Sequence, residues 1–259
     1  MISTSIKTEA DFLDVSHQWI PNHYTMDNFK SAFSALDFFN SLKKTFTIQI
    51  LSAVIEIFVC SFIAYGFARF DFKWKKAATF FLILSLLIPV QMYSLSLSVN
   101  YRILNIFNTP LVYWLPSVFG VGIRSGMIIF IYQQFFIGLP KELEDAAYVD
   151  GAGPIKTFFK IALPSSSVVI VTVSVLAISW HWNEYYLAEL CFLEEVRPLS
   201  VAIGHLTARL AQMGINSGHP LYTAAVCAGC LLFIAIPHVF YMIIQRKFVR
   251  SIDRVGITG

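Results

Sequence analysis

The residues best suited to binding a polar solute lie together in one short, mostly apolar stretch of this chain. His181, Asn183, Glu184 and Tyr185 supply hydrogen-bond donors and acceptors next to tryptophan and tyrosine side chains. A solute with hydroxyl groups and apolar ring faces could hydrogen-bond and stack on such a cluster. Charged residues in an apolar segment usually face protein or water, so the cluster is a candidate solute contact. Alternatively, the same groups cap the outer end of a helix among interfacial aromatic residues.

Two further charged residues, Glu56 and Arg124, also lie inside long apolar runs. A charge that faces lipid is costly, so each of these side chains should find a partner or a cavity. They either form an ion pair between two helices or face a cavity separately, and the sequence leaves both arrangements open.

The chain lacks the sequence patterns of common catalytic sites. It contains no H-E-x-x-H, no G-x-S-x-G and no G-x-x-x-x-G-K-[ST] pattern, so metalloprotease, hydrolase and phosphate-loop chemistry have no residues to carry them. Cys227 and Cys230 form a C-x-x-C without a second pair, in a run of small and apolar residues that favours helix packing over zinc binding. We therefore expect no catalytic residue, no metal site and no cofactor held by this chain.

Composition indicates that these residues are positioned by helices in a membrane. Hydrophobic residues make up 56% of the chain, charged residues only 14%, and the mean hydropathy is +0.65. A soluble domain carries about a quarter of its residues as charges, and a membrane-spanning helix needs about 20 mostly apolar residues. Five segments meet that need: Thr45 to Ala68, Ala77 to Val99, Leu111 to Leu139, Ala162 to Leu190 and Pro220 to Gln245.

Lysine and arginine are distributed unevenly over the segments that join these spans. Eleven lie on one predicted side: Arg69, Lys73, Lys75, Lys76, Lys141, Lys156, Lys160, Arg246, Lys247, Arg250 and Arg254. The opposite loops carry Arg102, Arg197 and Arg209. Because positive residues accumulate on the cytoplasmic side, we expect the loop between the third and fourth spans and the C-terminus to be cytoplasmic. These charges also account for the pI of about 8.6, so no nucleic-acid partner is implied.

The segment from Lys141 to Pro164 is charged and helix-forming, yet it lies between two apolar spans. Pro140 can start a helix, whose first turns carry acidic residues that favour the positive end of the helix dipole. Gly151 permits the sharp turn that ends it, and small residues let its backbone approach a partner surface. A second helix can then start, and its spacing predicts that Ile155, Phe158, Phe159 and Ala162 share one apolar face. We expect a helix, a tight turn and a helix in water, built to dock.

This segment resembles the signature loop of the permease subunits of bacterial ABC importers. The matching residues are Asp145-Ala146-Ala147, Asp150-Gly151-Ala152 and Ile161-Ala162-Leu163-Pro164. Asp145 stands where the family usually has glutamate, although Glu144 directly precedes it. Ala64 to Phe70 and Trp182 to Tyr185 are similar to the carbohydrate-uptake, maltose-type branch of these binding-protein-dependent permeases.

The resemblance implies a partner for the loop. In this family the loop is a coupling helix seated in a groove of a separate ATP-hydrolysing subunit, which holds the ATP and Mg. The coupling residues it implies are Glu144, Asp145, Ala146, Ala147, Asp150, Gly151 and Ala152. It also implies a second, similar permease subunit, two ATP-binding subunits and an extracytoplasmic solute-binding protein. The expected fold class is an all-α polytopic transmembrane bundle of the type I ABC importer kind, in a bacterial inner or plasma membrane.

The five spans and the cytoplasmic C-terminus set the expected domain organisation. Residues 1–43 would be extracytoplasmic, residues 44–246 would form the permease domain with its coupling loop at 140–161, and residues 247–259 would be a cytoplasmic tail. The family has six spans, and residues 19–29 resemble the segment that follows its first helix, so we infer that this helix is missing. The alternative is an N-terminal tail of near-neutral charge that crosses the membrane unaided.

These observations predict a non-enzymatic subunit that moves a sugar or oligosaccharide by alternating access, driven by ATP hydrolysis on its partner. Two alternatives remain: an ion-driven secondary transporter, and an ABC permease for a solute that is not a sugar. An ion-driven carrier has no use for a cytoplasmic docking loop, which is the feature that favours the first interpretation.

Overall fold

A computed structural model of the chain describes residues 1–14 and 19–256, with side chains described up to Gln245. The described residues are mostly helical, and an isolated antiparallel bridge joins Lys7 to Tyr24. The first helices are α1 (Ile2–Ser5), α2 (Glu9–Leu13), α3 (Asp27–Ala35), α4 (Phe38–Lys44), α5 (Leu51–Arg69), α6 (Lys75–Leu87), α7 (Ser94–Ile103), α8 (Leu111–Val118) and α9 (Ser125–Gly138). They are followed by α10 (Glu142–Val149), α11 (Pro154–Thr157), α12 (Leu163–Ser165), α13 (Ser167–Trp182), α14 (Tyr186–Cys191), α15 (Leu199–Gly204), α16 (Leu206–Gln212) and α17 (Tyr222–Gly256).

Two helical stretches of the described chain are long and apolar enough to cross a membrane alone. Phe38–Arg69 is 32 residues long with a mean hydropathy of 2.1, and Tyr222–Gln245 is 24 residues long with a mean hydropathy of 2.2. The first joins α4 to α5 through a π-helix at Thr45–Ile50, so the predicted domain boundary at residue 43 falls inside a continuous helix. These stretches confirm the first and last predicted spans as helices.

The predicted span from Ala162 to Leu190 is bent rather than straight. Pro154–Ser165 and Ser167–Trp182 meet at 78°, and they count as a third crossing if the bent pair forms one span. Pro164 lies at the bend and has no N–H for the carbonyl one turn before it. At the break, Ser166 Oγ donates a hydrogen bond to the Leu163 carbonyl at 2.7 Å.

The predicted spans from Ala77 to Val99 and from Leu111 to Leu139 are each divided into two helices, which corrects the expectation of uninterrupted spans. In the first, Pro89 is extended and separates α6 from a 3-10 turn at Val90–Met92 and from α7. In the second, α8 ends soon after Pro116, and Gly120 and Arg124 both take left-handed backbone conformations before α9 starts. Hydropathy finds apolar length but does not register such breaks.

The core packs α5 against α9 and α13. Ala53, Ala64, Ile128, Tyr132 and Phe136 are buried at this junction. The N-terminal residues do not form a separate unit, because α1 and α3 pack against α17. This arrangement places the C-terminal end of α5 beside the loop that carries α10, and the middle of α5 beside α13.

Candidate functional site

The turn after α10 forms as the sequence predicts. Gly151 has φ +77°, a conformation that residues with a Cβ rarely adopt. Its N–H donates to the Tyr148 carbonyl at 3.0 Å, while the N–H of Ala152 reaches back to the Ala147 carbonyl at 2.9 Å. These two hydrogen bonds make a Schellman motif, which satisfies carbonyls at the helix end. The chain therefore reverses within a few residues and starts α11 at Pro154.

The inward side of α10 carries a charge. Glu144 is buried, and its Oε1 accepts a hydrogen bond from Arg69 Nε at 2.8 Å. Tyr65 Oη donates to the other carboxylate oxygen at 3.1 Å, and Arg69 Nη2 donates to the Leu139 carbonyl at 2.8 Å. Glu144 was expected among the residues that couple to a partner subunit, but its side chain contacts the end of α5 within this chain.

The outward side of α10 and α11 exposes several apolar side chains, and acidic residues lie among them. Val149 is 88% exposed and Ile155 is 64% exposed, and Leu143 and Phe159 are also exposed. The other expected coupling residues lie on this surface or at its edge: Asp145, Ala146, Asp150 and Gly151 are exposed, and Ala147 and Ala152 are half-buried. We call the exposed residues between Leu143 and Phe159 the loop surface. Apolar side chains this exposed on a charged loop are typical of a docking site.

The expected common face of the second loop helix is wrong. Phe158 and Ala162 are buried, whereas Ile155 and Phe159 are exposed. The reason is a π-helix at Phe158–Ala162, where the hydrogen-bond spacing is longer than in an α-helix and the side chains shift in phase. The aromatic ring of Phe158 packs on the Tyr65 ring, with 5.3 Å between the centroids. This helix therefore contacts the bundle through Phe158, while Phe159 remains exposed.

The residues expected to line a solute path are only partly brought together. Asn183 and Glu184 line a cavity of about 500 Å³ that also contains Arg124, Trp180 and Tyr186. The Arg124 guanidinium lies 5.1 Å from the centre of the Trp180 ring. Both polar and aromatic groups therefore face one space, as a site for a hydroxyl-bearing ring requires.

His181 and Tyr185 do not line this cavity. His181 is fully buried behind it, with Nε2 3.1 Å from Glu56 Oε2 and Nδ1 2.9 Å from the Ala177 carbonyl. The Tyr185 ring packs against the backbone of α15, where a Cβ added at Gly204 would lie 2.6 Å from the ring. Both residues therefore pack within the bundle and do not face this cavity.

The open question about Glu56 and Arg124 is settled by this geometry. Glu56 is fully buried and also accepts a hydrogen bond from Ser125 Oγ, while Arg124 lines the cavity. They are not each other's partners. Glu184, in turn, uses Oε1 to accept the N–H of Leu187 at 2.9 Å at the start of α14, which fixes the carboxylate at the cavity wall.

Sequence reasoning did not identify the opposite wall of the cavity. Gln91 and Tyr93 line it from the segment that follows Pro89, together with the end of α6. The signal for this wall was Pro89 itself, since a proline in an apolar run marks a break where side chains leave the helical pattern. Among the described residues, no cluster of three histidine, cysteine or acidic side chains could hold a metal ion.

Comparisons with known proteins agree with this architecture. The family model described as "Binding-protein-dependent transport system inner membrane component" matches residues 46–254. The probable ABC transporter permease protein YurM of Bacillus subtilis is 29% identical in an alignment of 266 positions, which covers 100% of this chain and 82% of that protein. The melibiose/raffinose/stachyose import permease protein MelC of Bacillus subtilis is 28% identical in an alignment of 271 positions, which covers 100% of this chain and 90% of that protein.

A solved structure has the same fold. The crystal structure of a bacterial ABC transporter involved in the import of the acidic polysaccharide alginate contains a chain that superimposes with a TM-score of 0.77. The match covers 95% of this chain and 88% of that chain at 18% sequence identity. The likeness confirms the all-α transmembrane bundle expected from the sequence.

Proposed function

The chain belongs to the family of binding-protein-dependent transport system inner membrane components, and from this membership we propose that it is the permease subunit of an ATP-driven importer for a sugar or oligosaccharide. It is a membrane transporter subunit, not an enzyme. In our proposal, ATP and Mg are bound by a separate subunit, and the solute crosses by alternating access between two permease subunits.

The observation that carries this proposal is the loop surface. Val149 and Ile155 are largely exposed there beside Asp145 and Asp150, although the loop joins two apolar segments. Apolar groups gain by leaving water, so a loop that keeps them outside is suited to a protein partner. We propose that this partner is the cytoplasmic ATP-binding subunit, whose closure would push on α10 and α11.

The composition of the cavity supports a carbohydrate as solute. Asn183, Glu184 and Gln91 offer hydrogen-bonding groups, and Trp180 and Tyr186 offer aromatic surface. The protein MelC, at 28% identity over the whole of this chain, is described as importing melibiose, raffinose and stachyose. We therefore propose a solute of that chemical class for this cavity.

A second permease subunit would complete the pathway. All residues of α6 are described and none of them is buried, yet Ser85, Leu86 and Leu87 at its end line the cavity. A helix with this much exposed apolar surface needs lipid or a neighbouring subunit against it. We propose that the neighbour is a similar permease subunit, and that an extracytoplasmic binding protein delivers the solute to the pair.

The orientation in this proposal follows from the positive residues. The loop with Lys141, Lys156 and Lys160 and the C-terminus would be cytoplasmic. The side chains of the C-terminal Arg246, Lys247, Arg250 and Arg254 lie outside the described residues.

Reconstitution tests the proposal as a whole. Proteoliposomes that contain this chain, the second permease and the ATP-binding subunit should take up sugar only with ATP inside and binding protein outside. Uptake that persists when the ATP-binding subunit is omitted, and that follows an imposed ion gradient, would instead establish an ion-driven carrier.

A further inference from the structure

We propose that Tyr65, Arg69 and Glu144 form a rigid link that makes α5 move together with the coupling loop, so that loop displacement reaches the membrane helices through this contact. The inference rests on the proposed function, because it assigns these residues a role in coupling ATP hydrolysis to transport. All three are positioning residues, since they contact neither the solute nor ATP in this proposal. The set is called the α5–α10 link below.

The link joins three separate segments. Glu144 lies on α10, Tyr65 and Arg69 lie on the last turns of α5, and Leu139, whose carbonyl binds Arg69, directly follows α9. The side chains of Arg69 and Glu144 are 6% and 5% exposed. A buried ion pair is favourable only when its hydrogen-bonding groups are well satisfied, and here both carboxylate oxygens and two different guanidinium nitrogens have partners.

The attachment of α10 depends on this link to an unusual degree. The structure describes every residue of α10, and Glu144 is the one that is buried. Leu143 and Val149, which would ordinarily hold an amphipathic helix against its core, are exposed on the loop surface. Tyr148 on α10 also interacts with Tyr65, and Phe158, after α11, packs on the same Tyr65 ring. Hence α10 is held to the bundle chiefly by a polar contact with the end of α5.

The chemistry of the link suits transmission of movement. A guanidinium is planar and bonds two acceptors in a fixed geometry, whereas an ammonium group on a flexible stem would hold one point. Arg69 uses Nε for Glu144 and Nη2 for the Leu139 carbonyl, so α10 and the end of α9 are fixed to the same side chain. A push on α10 therefore displaces the end of α5 and does not merely tilt the loop.

Helix α5 carries the displacement toward the cavity. Glu56, on the same helix as Arg69 and about 20 Å away at 1.5 Å per residue, pairs with His181 on α13. Trp180 precedes His181 directly, and Asn183 and Glu184 follow it by two and three residues; all three line the cavity. The route from loop to cavity thus consists of the part of one continuous helix that lies between two buried polar contacts, at Arg69 and at Glu56.

The test separates coupling from mere stability. Breaking a buried pair on one side leaves an unpaired charge and can unfold the protein, while replacing the whole set by apolar residues of similar size is often neutral for stability. The main variant is therefore the triple change Tyr65→Phe, Arg69→Met and Glu144→Met, accompanied by Arg69→Lys, which keeps the charge but loses the fork. The matched control is Glu142→Gln, which removes an exposed carboxylate from the same helix.

Three quantities are measured in proteoliposomes of the complete transporter: the ATP-binding subunit that co-purifies, ATP hydrolysis stimulated by the binding protein, and solute taken up. We expect the triple variant to retain the ATP-binding subunit and hydrolysis but to transport about tenfold less solute per ATP, within the usual range of coupling between linked sites. Arg69→Lys should lower the amount of solute transported per ATP by about threefold, which is half of the tenfold effect on a logarithmic scale. Glu142→Gln should match the unmodified chain.

An unchanged ratio of solute to ATP in the triple variant overturns the link, and so does a fall in uptake that only follows a fall in bound ATP-binding subunit. Neither result touches the proposed function as long as the unmodified chain needs ATP and its ATP-binding subunit for uptake. If the unmodified chain transports without them, the proposed function itself fails.

Discussion

His181 Nε2 lies 3.1 Å from Glu56 Oε2, and both side chains are completely buried where α13 meets α5. The Nδ1 of His181 faces the Ala177 carbonyl, which can only accept, so Nδ1 carries a hydrogen. Among the described residues, neither Nε2 nor Oε2 has another hydrogen-bond partner, so each of these two buried atoms depends on the other.

This pairing predicts unequal effects of two substitutions. His181→Ala should lower the free energy of unfolding by about 3–5 kcal/mol, because it leaves the Glu56 carboxyl buried without its partner. Glu56→Gln should cost about 1 kcal/mol, since a neutral amide can donate to Nε2. Denaturant-induced unfolding in detergent measures both values. Equal costs for the two variants would contradict the pairing.

The cavity predicts that Glu184 affects transport more than folding. Glu184→Gln keeps an oxygen for the Leu187 N–H but removes the charge from the cavity wall. We expect the solute concentration for half-maximal uptake to rise about tenfold, equivalent to one charge-assisted hydrogen bond. Membrane insertion and basal ATP hydrolysis should stay normal.

Tyr185→Phe is the matched control for the Glu184 variant, because Tyr185 neighbours it in sequence but packs on Gly204 outside the cavity. Uptake by this control should equal that of the unmodified chain. Loss of the Glu184→Gln protein from the membrane would favour a packing role for this residue, as the alternative interpretation of the sequence holds.

Orientation can be tested with introduced cysteines at exposed positions. Lys76→Cys and Lys156→Cys should react with membrane-impermeant maleimides only from the cytoplasmic side, and Ser217→Cys only from outside, because the positive residues cluster with the first two. The unmodified chain is the control, since Cys60 and Cys191 are buried and Cys227 and Cys230 are half-buried. Labelling of Lys156→Cys and Ser217→Cys from the same side would contradict the predicted topology.

What the sequence predicts well here is local, and what it misses is long-range. The turn at Gly151 follows from a glycine after a helical pattern, and the Schellman hydrogen bonds bear it out. The burial of Glu144 could not be predicted in this way, because its partner Arg69 is 75 residues earlier in the chain and an acidic residue in a loop ordinarily faces water.

The cavity shows the same limit in a different form. Composition identified Asn183 and Glu184, but closeness in the sequence also grouped His181 and Tyr185 with them. A partner on another helix, Glu56 for His181 and Gly204 for Tyr185, decides which side chains turn away. Periodicity likewise failed at Phe158–Ala162, where a π-helix shifts the side chains out of the α-helical pattern.

The loop surface predicts that the turn at Gly151 is needed for docking. Gly151→Pro should abolish uptake, because proline holds φ near −65° where the structure has +77°, and it removes the N–H that binds the Tyr148 carbonyl. Gly153→Ala is the matched control, since Gly153 has φ −78° and an added Cβ meets no atom of the described chain within 4 Å. Co-purification of the ATP-binding subunit and uptake in proteoliposomes measure the effect.

Asp145→Lys tests the electrostatic part of the same contact. Asp145 is exposed beside the apolar residues of the loop surface, so reversing its charge should weaken retention of the ATP-binding subunit while leaving insertion intact. The loss should be greater at low salt, where charges at an exposed surface are least screened. Binding of solute to the separate receptor protein should not change. Gly151→Pro changes the backbone turn and Asp145→Lys changes the charge that the ATP-binding subunit would meet. If both variants transport at the full rate, ATP hydrolysis does not act on this chain through the loop surface.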